Sequence, residues 1–135
     1  MQMGKPLPQP TPDTAPFWEA TKQHELKLQY CTDCSRFYYY PRMYCRYCMG
    51  SNIEWRQLSG RGKLHTYVIN HRPPPGRDPE QPYVIAIVEL DEGPRMMTNI
   101  VIENPTPDKL PIDAAVEVVW DDVNDDITLP LFRLV

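Results

Sequence analysis

Five short runs rich in apolar residues occur over the second half of the chain, a pattern typical of β-strands, and the second run is almost continuously apolar. The runs cover residues 63–70, 83–90, 95–102, 115–120 and 127–135. An Asp-Glu-Gly turn at residues 91–93 joins the second run to the third, so these two predict a hairpin. Pro130, inside the last run, favours an edge strand or a bulge. Five strands in about 75 residues favour a small closed barrel, with the OB-fold as the obvious candidate.

The first half of the chain carries fewer periodic segments. A helix is predicted from Asp13 or Thr14, as its cap, to about His24, with Phe17 and Trp18 on its apolar side. Alternation at residues 26–30 and 53–58 predicts two further strands, with an aromatic run at residues 37–40 between them. We therefore expect a mainly β protein in three parts: a flexible proline-rich tail over residues 1–13, a helix with a small module over residues 14–58, and an OB-fold over residues 59–135.

Four cysteines lie within the small module as two Cys-x2-Cys pairs: Cys31 and Cys34, then Cys45 and Cys48. A two-residue gap lets both sulfurs of a pair reach one ion, and two pairs supply a tetrahedral cage at ~2.3 Å per bond. This spacing predicts a rubredoxin-like zinc ribbon, with an iron–sulfur cluster or redox dithiols as alternatives. Four sulfurs fill four positions, so the zinc is expected to be structural. Ser35 and Met49 stand where many zinc knuckles carry glycine.

The charge of the chain is unevenly distributed. Residues 1–77 hold 11 Lys/Arg and 5 Asp/Glu, whereas residues 78–135 hold 3 and 13, so the two parts carry +6 and −10. The basic part suits an anionic ligand such as a phosphorylated cofactor, and the net acidic chain disfavours a duplex-DNA binder. No apolar run approaches the roughly 20 residues of a membrane helix, and the polar start has no signal-like apolar core. We therefore expect a cytoplasmic protein.

Two groups of residues outside the cysteines are candidates for binding. Aromatic side chains on a short helix and in the ribbon are candidate partner contacts, although core packing is the alternative: Phe17, Trp18, Tyr38, Tyr39 and Tyr40. Basic residues after the ribbon are candidates for an anion patch that holds the nucleotide end of coenzyme A, although a simple connecting turn is the alternative: Arg61, Lys63, His71, Arg72 and Arg77. His65 is expected to be a cross-strand pairing residue, and the acidic residues 121–126 a solvated turn.

Several segments follow one another in an order that resembles a known family. They are Pro16-Phe17-Trp18-Glu19-Ala20, the four-cysteine ribbon with Tyr40-Pro41-Arg42 inside it, Ser59-Gly60-Arg61-Gly62, and the strand and turn over residues 82–93. The order resembles the zinc-ribbon plus OB-fold family associated with acyl-CoA enzymes, domain of unknown function thirty-five, over residues 14–135. Segments 95–99 and 129–133 look most like the subset paired with thiolase-like aldolases of steroid side-chain degradation. Asp113 departs from the glycine that relatives often carry.

The resemblance implies a small non-catalytic protein that binds and activates a thiolase-fold enzyme, an aldolase or a thiolase, acting on acyl-CoA. It further implies possible contact with the coenzyme A, and a two-plus-two heterotetramer is natural because a thiolase-fold dimer offers two equivalent sites. Some relatives are instead fused to hydratase domains. Two alternatives stay open at this point. One is a single-stranded nucleic-acid binder, since OB-folds and zinc ribbons both occur in such proteins, and the other is an independent zinc enzyme.

Overall fold

The computed structural model describes residues 7–71 and 82–135, which contain one α-helix, eight strands and a short 3-10 helix, Pro107–Lys109. The mainly β prediction is confirmed, and every predicted strand is present with boundaries shifted by a few residues at most. The elements are α1 Ala15–Lys22, β1 Lys27–Cys31, β2 Arg36–Tyr38, β3 Ile53–Gln57, β4 Arg61–Asn70, β5 Tyr83–Leu90, β6 Arg95–Ile100, β7 Ala115–Asp122 and β8 Thr128–Leu134. Across the two described stretches, no helix has the length and apolar character needed to cross a membrane.

Three short antiparallel strands form the ribbon sheet in the order β2-β1-β3. Cys31 ends the central strand and pairs with Arg36 on one side and Ile53 on the other. The first cysteine pair therefore lies in the turn between β1 and β2, and the second lies in the long connection between β2 and β3. The sheet thus brings the two pairs to the same end of the module.

The other five strands form a closed barrel in the order β4-β5-β6-β8-β7. Burial alternates along β5 without interruption, so its even-numbered residues are buried and its odd-numbered residues half-buried. Neighbouring strands are antiparallel except β6 and β8, which run parallel and pair at Ile100 and Phe132. The closed five-stranded barrel confirms the predicted OB-fold architecture.

Two local expectations for the barrel strands are corrected. Pro130 lies in β8, which pairs along its length with β7 inside the closed barrel, so it marks neither an edge nor a bulge. The sparse ladder between β6 and β8 tolerates a residue without an N–H, and the Thr98 hydroxyl donates to the Pro130 carbonyl at 2.9 Å. The register shift lies in β4 between Leu64 and Thr66, so His65 is not in a regular cross-strand pair.

Helix α1 and the ribbon sheet pack onto the barrel and share its core. Phe17 in α1 and Leu28 in β1 have no exposed surface, and they belong to the same buried cluster as Phe132 in β8. α1 contacts both β1 and β8, so elements from the two ends of the described chain lie against each other. The predicted side-chain cap is not formed, because the Thr14 hydroxyl accepts from the Thr11 N–H and does not bond the helix.

Candidate metal centre and neighbouring surfaces

The four cysteine sulfurs converge on one point at the end of the ribbon sheet. All four Sγ atoms lie within 4.8 Å of one another. The Sγ atoms of Cys31 and Cys48 are 3.7 Å apart, and those of Cys34 and Cys45 are 3.9 Å apart. Two sulfurs bound to one tetrahedral zinc at ~2.3 Å are separated by about 3.8 Å, so the donor set fits this ion. The cysteines are therefore positioned to bind a metal, as the spacing predicts.

Backbone N–H groups point at the sulfurs within each cysteine turn. The N–H of Cys34 donates to the Cys31 sulfur at 3.4 Å, and the N–H of Tyr47 donates to the Cys45 sulfur at 3.3 Å. Hydrogen bonds to a charged acceptor favour the ionised form, so these donors stabilise the thiolates that the metal requires. The two turns thus supply both the ligands and part of the compensation for their negative charge.

The crowding of the thiols explains why the cage needs a cation. The pKa of Cys34 is raised to about 12, chiefly through its hydrogen bond with Cys48 and then by burial. Burial also acts to raise the pKa of Cys45, but the N–H groups of Cys48 and Tyr47 outweigh it and bring that pKa to about 7. Four thiols this close cannot all ionise without a positive charge among them, and a divalent cation supplies that charge.

Ser35 and Met49 adopt the backbone conformation that glycine would favour. Their φ angles are 57° and 63°, in the left-handed region, where a side chain is strained. Ser35→Gly and Met49→Gly are each expected to raise the free energy of unfolding by about 0.5 kcal/mol, because the relief of strain exceeds the added chain entropy. Urea unfolding of the zinc-loaded variants measures this. Ser51→Gly, at an exposed site without positive φ, is the control and should not gain stability.

Most of the aromatic residues predicted to dock a partner are core residues. Phe17 and Tyr38 are 0% and 1% exposed, and Trp18 is 7% exposed. Tyr39 is half-buried, and burial raises its pKa to about 12. The rings of Phe17 and Trp18 are buried in the core, which disfavours direct docking through them, whereas Tyr38 is buried but borders a surface cavity. Tyr40 is exposed, and its docking role stays a prediction.

The exposed apolar surface of the ribbon lies farther along the chain than the sequence indicated. We call residues 40–49 the zinc loop. Half of the large apolar side chains that are well exposed in the described residues belong to it: Tyr40, Met43, Tyr44, Tyr47 and Met49. The amino-acid composition of this loop could have predicted the exposed surface. Large apolar residues in a loop held by metal ligands have no neighbouring sheet that would bury them.

The side chain of Gln29 holds the zinc loop against the ribbon sheet. Gln29 is buried, its Nε2 donates to the Arg42 carbonyl at 2.8 Å, and its Oε1 accepts from the Arg42 N–H at 2.7 Å. This pair of bonds reproduces the contacts of one residue in a β-ladder. The loop that carries the exposed aromatic residues is therefore fixed both by the cysteines and by this amide.

The described residues predicted to contact coenzyme A do not form one patch. Arg61 and Lys63 lie at the start of β4, whereas His71 follows its far end, about 30 Å away in an extended strand. Arg72 and Arg77 lie outside the described residues. A cavity of about 490 Å³ beside the first two is also lined by three carboxylates: Asp91, Asp113 and Glu117. These acidic neighbours disfavour an anionic ligand beside Arg61 and Lys63, and an anion patch that includes Arg72 and Arg77 stays a prediction.

A hydrogen-bonded cluster joins the end of α1 to the barrel. His24 Nε2 lies 2.9 Å from an Asp122 carboxylate oxygen, and its ring stacks on Trp120 at 5.5 Å between centroids. The Thr128 hydroxyl donates to the same carboxylate at 2.6 Å. The Thr128 hydroxyl and then His24 hold the pKa of Asp122 below its usual range. Asp122 is thus a paired strand residue and not part of the solvated acidic turn expected from the sequence.

Asp122→Asn is expected to lower stability at neutral pH, with an effect that shrinks in acid. A folded-state pKa below the unfolded value of about 4 means that the carboxylate stabilises the fold above that pH, and this contribution is lost as pH falls through the folded pKa. Urea unfolding of wild type and variant, stepped from pH 7 to about pH 2, measures the difference across the range in which the carboxylate is protonated. Asp125→Asn, on the exposed turn, is the control and should show no such trend. A difference that grows in acid would contradict the assignment.

Models of two protein domains match successive parts of the chain. Residues 18–54 match the one described as the ChsH2 rubredoxin-like zinc ribbon domain, and residues 55–121 match the one described as the ChsH2 C-terminal OB-fold domain. The boundary between the two matches falls within β3, where the ribbon sheet ends.

Similar proteins carry both enzyme and scaffold names. The chain is 36% identical over 129 residues to a probable enoyl-CoA hydratase alpha subunit of Thermomonospora curvata, covering 96% of this chain and 40% of that protein. It is 36% identical over 97 residues to a DUF35 domain-containing scaffold protein of Methanocaldococcus jannaschii. That alignment covers 71% of this chain and 67% of the scaffold protein. The chain thus spans less than half the length of the hydratase subunit.

A solved structure superposes on nearly the whole chain. It is described as Ltp2-ChsH2(DUF35) aldolase, and the matching chain has 35% sequence identity and a TM-score of 0.80. The superposition covers 95% of this chain and 98% of that one. The likeness therefore extends over the helix, the ribbon and the barrel together.

Proposed function

Because this chain belongs to the DUF35 family of ChsH2-type zinc-ribbon and OB-fold proteins, we propose that it is a non-catalytic subunit that binds and activates a thiolase-fold enzyme acting on acyl-CoA. One observation carries the proposal. The chain matches 98% of a protein chain in the solved structure described as Ltp2-ChsH2(DUF35) aldolase, at 35% identity. The aldolase is therefore the first candidate for the partner, with a thiolase as the next.

The zinc site supports a structural role for the metal within such a subunit. Cys31 and Cys45 have no exposed surface, and four sulfur ligands complete the tetrahedron that zinc prefers. A catalytic zinc keeps one position for water or substrate, which this donor set does not provide. When bound, the zinc would be held by the four cysteines and would fix the zinc loop on the ribbon sheet. This ligand count disfavours an independent zinc enzyme.

The finer features of the proposal concern the complex and its substrate. A thiolase-fold dimer with two equivalent sites favours a two-plus-two heterotetramer. The segments 95–99 and 129–133 favour a steroid side-chain ester of coenzyme A as the substrate of the partner. Contact between this chain and the coenzyme A is part of the same proposal, and among its candidate residues the described ones, Arg61, Lys63 and His71, do not lie together.

A hydratase is the second candidate for the partner. The observation in its favour is the match to a probable enoyl-CoA hydratase alpha subunit, which aligns with 96% of this chain. In that case the chain would serve as the ribbon and barrel part of a larger hydratase assembly. The two candidates share the acyl-CoA substrate and differ in the fold of the catalytic protein.

A single-stranded nucleic-acid binder is a weaker candidate. Such a protein needs a basic groove with stacking aromatic side chains, whereas residues 78–135 carry a formal charge of −10. Barrel aromatics such as Trp120 and Phe132 are engaged in internal packing. Tight oligonucleotide binding that weakens steeply with salt would support this alternative.

Co-expression tests the proposed function directly. The chain is expressed with an affinity-tagged thiolase-like aldolase of acyl-CoA metabolism in one arm, and with an enoyl-CoA hydratase subunit in the second arm. We expect co-purification in equal amounts and a partner activity on acyl-CoA that rises when this chain is present. Absence of a complex, together with unchanged partner activity, would contradict the proposal.

A further inference from the structure

A cleft separates the zinc loop from the turn that joins β5 to β6. Tyr47 of the zinc loop stands in it with a cavity on either side, of about 360 and about 400 Å³. Gly93 and Pro94 of the barrel turn line both cavities. The Tyr47 ring is 48% exposed, so the cleft is open to solvent along the exposed aromatic surface of the ribbon.

Two arginines enclose the Tyr47 ring. The guanidinium carbon of Arg36 lies 4.6 Å from the ring centroid, and that of Arg46 lies 5.4 Å from it. Stacking on an aromatic face orients a guanidinium and leaves its N–H edge available for a planar anion. Neither arginine forms an ion pair within residues 7–71 and 82–135, and Arg46 donates only to the Tyr39 carbonyl, at 3.3 Å.

The other charged residues that line the cleft do not neutralise the positive charge of these arginines. Arg95 of β6 is a third guanidinium without an ion pair in the described chain, and it lines the cavity with Glu89 beside it in register. Glu92, on the other side, is engaged through one carboxylate oxygen with the Ser59 N–H at 2.9 Å. The cavity that Tyr38 lines thus has two guanidiniums and one carboxylate, whereas the cavity on the other side of Tyr47 has one of each, from Arg36 and Glu92.

A buried hydroxyl adds a second sign of a missing ligand. Tyr38 lines the same cavity as Arg46 and Arg95, and its side chain is 1% exposed. The Tyr38 hydroxyl has no hydrogen-bond partner among the described residues. A buried donor without an acceptor is costly, and an anionic oxygen entering the cavity would satisfy it.

We propose that this cleft is the docking site for a carboxylate side chain of the partner subunit, held between Arg46 and Arg95 with Arg36 beside it. The inference rests on the proposed function, which supplies the partner. Charge complementarity specifies an acidic residue, and Tyr40, Met43 and Tyr44, which are exposed in the same zinc loop, favour an apolar surround for it. Tyrosine, methionine and arginine are the residue types enriched at protein interfaces, and arginine and tyrosine are frequent hot spots. A protein surface is therefore favoured over a small anion.

Neutralising the stacked arginines tests the proposal. The double variant Arg36→Gln/Arg46→Gln is titrated against the purified thiolase-like enzyme, with zinc content and thermal unfolding checked in parallel. We expect affinity to fall at least about 10-fold and to become less sensitive to salt, because the lost contacts are charged. Arg133→Gln is the matched control, since Arg133 is an exposed arginine of the barrel paired with Glu117, and it should bind as wild type.

A second variant probes the floor of the cleft without changing charge. Tyr38→Phe keeps the buried ring and removes only the hydroxyl, so the fold is preserved, and binding of the partner should weaken several-fold. Equal binding by the double variant and wild type would overturn the docking site while leaving the proposed function intact. Failure of wild type to bind would contradict the proposed function, and the docking site with it. Unchanged partner binding with loss of inorganic phosphate binding would reassign the cleft to a small anion and overturn the proposal.

Discussion

A Cys45→Ser variant is expected to lose zinc and, with it, the folded structure of the ribbon. Cys45 is fully buried, and the cluster around it contains only Cys31 and Tyr38 as other buried members. A core this small does not offset the entropy of ordering the cysteine turns and the zinc loop, which lie away from the barrel core. Structural zinc contributes roughly 10–16 kcal/mol to the folding of comparable small modules. The free energy of binding one ion is therefore large compared with the stability of the module.

The measurement for Cys45→Ser combines zinc content with near-ultraviolet circular dichroism, which reports on the ordered tyrosines of the ribbon. Because β1 and α1 share the barrel core, the barrel should also unfold at a lower urea concentration. Binding of the partner enzyme should be lost. Ser51→Ala, an exposed serine in the same connection, is the control and should retain zinc and binding. A variant that keeps one zinc and a native spectrum would show that three sulfurs suffice.

Phe17→Ala is expected to lower the free energy of unfolding by about 3–5 kcal/mol, the range for removing a fully buried aromatic ring. Phe17 has no exposed surface, and its ring lies 4.8 Å from that of Trp18 and 6.0 Å from that of Tyr39. The ring therefore connects α1, the ribbon and the barrel at one point. Total stabilities of small domains are about 5–15 kcal/mol, so the variant should be close to unfolded at 37 °C.

Urea unfolding of Phe17→Ala is compared with that of two further variants. Phe17→Leu refills part of the cavity and should lie between wild type and alanine. Glu19→Ala, on the exposed side of the same helix, controls for changes in the helix itself and should shift stability little. A Phe17→Ala variant as stable as Glu19→Ala would show that α1 does not contribute to the barrel core in solution.

The strands of the barrel were predictable because their signal is local. A short apolar run that ends at turn residues can be recognised without knowing which strand is the neighbour, as β5 shows where it ends at the Asp-Glu-Gly turn. The end of β7 was missed because its last residues are acidic. Asp121 and Asp122 pair with Leu129 and Thr128 across the hairpin, and that pairing outweighs the turn preference of two aspartates.

The metal ligands were predictable for the same reason, whereas the binding surfaces were not. Two residues between cysteines fix the approach of their sulfurs, so the spacing alone defines the cage. The burial of Trp18, by contrast, depends on residues of β6 and β8 that are distant in sequence. The basic residues from Arg61 to Arg77 are close in sequence, but an extended strand separates the described ones by about 30 Å.

Residues that replace glycine preserve the local geometry in three places. Ser35, Met49 and Asp113 have φ angles of 57°, 63° and 66°, all in the left-handed region. The departures from glycine seen in the sequence therefore change the strain of these turns and not their shape. The reason is that surrounding hydrogen bonds hold the backbone, as in the bond from the Met49 N–H to the Cys45 carbonyl at 2.9 Å.

The packing of α1 against β8 has a consequence for the order in which the chain folds. During synthesis from the N-terminus, Phe17 and Trp18 leave the ribosome more than a hundred residues before Leu129, Pro130 and Leu131, which line the groove beside them. The ribbon contacts are local and form early, whereas barrel closure joins Arg61 to Glu117 across a long separation and is slow. The nascent chain therefore carries a metal-loaded ribbon beside an uncovered aromatic pair, a binding site for chaperones until the last strand arrives.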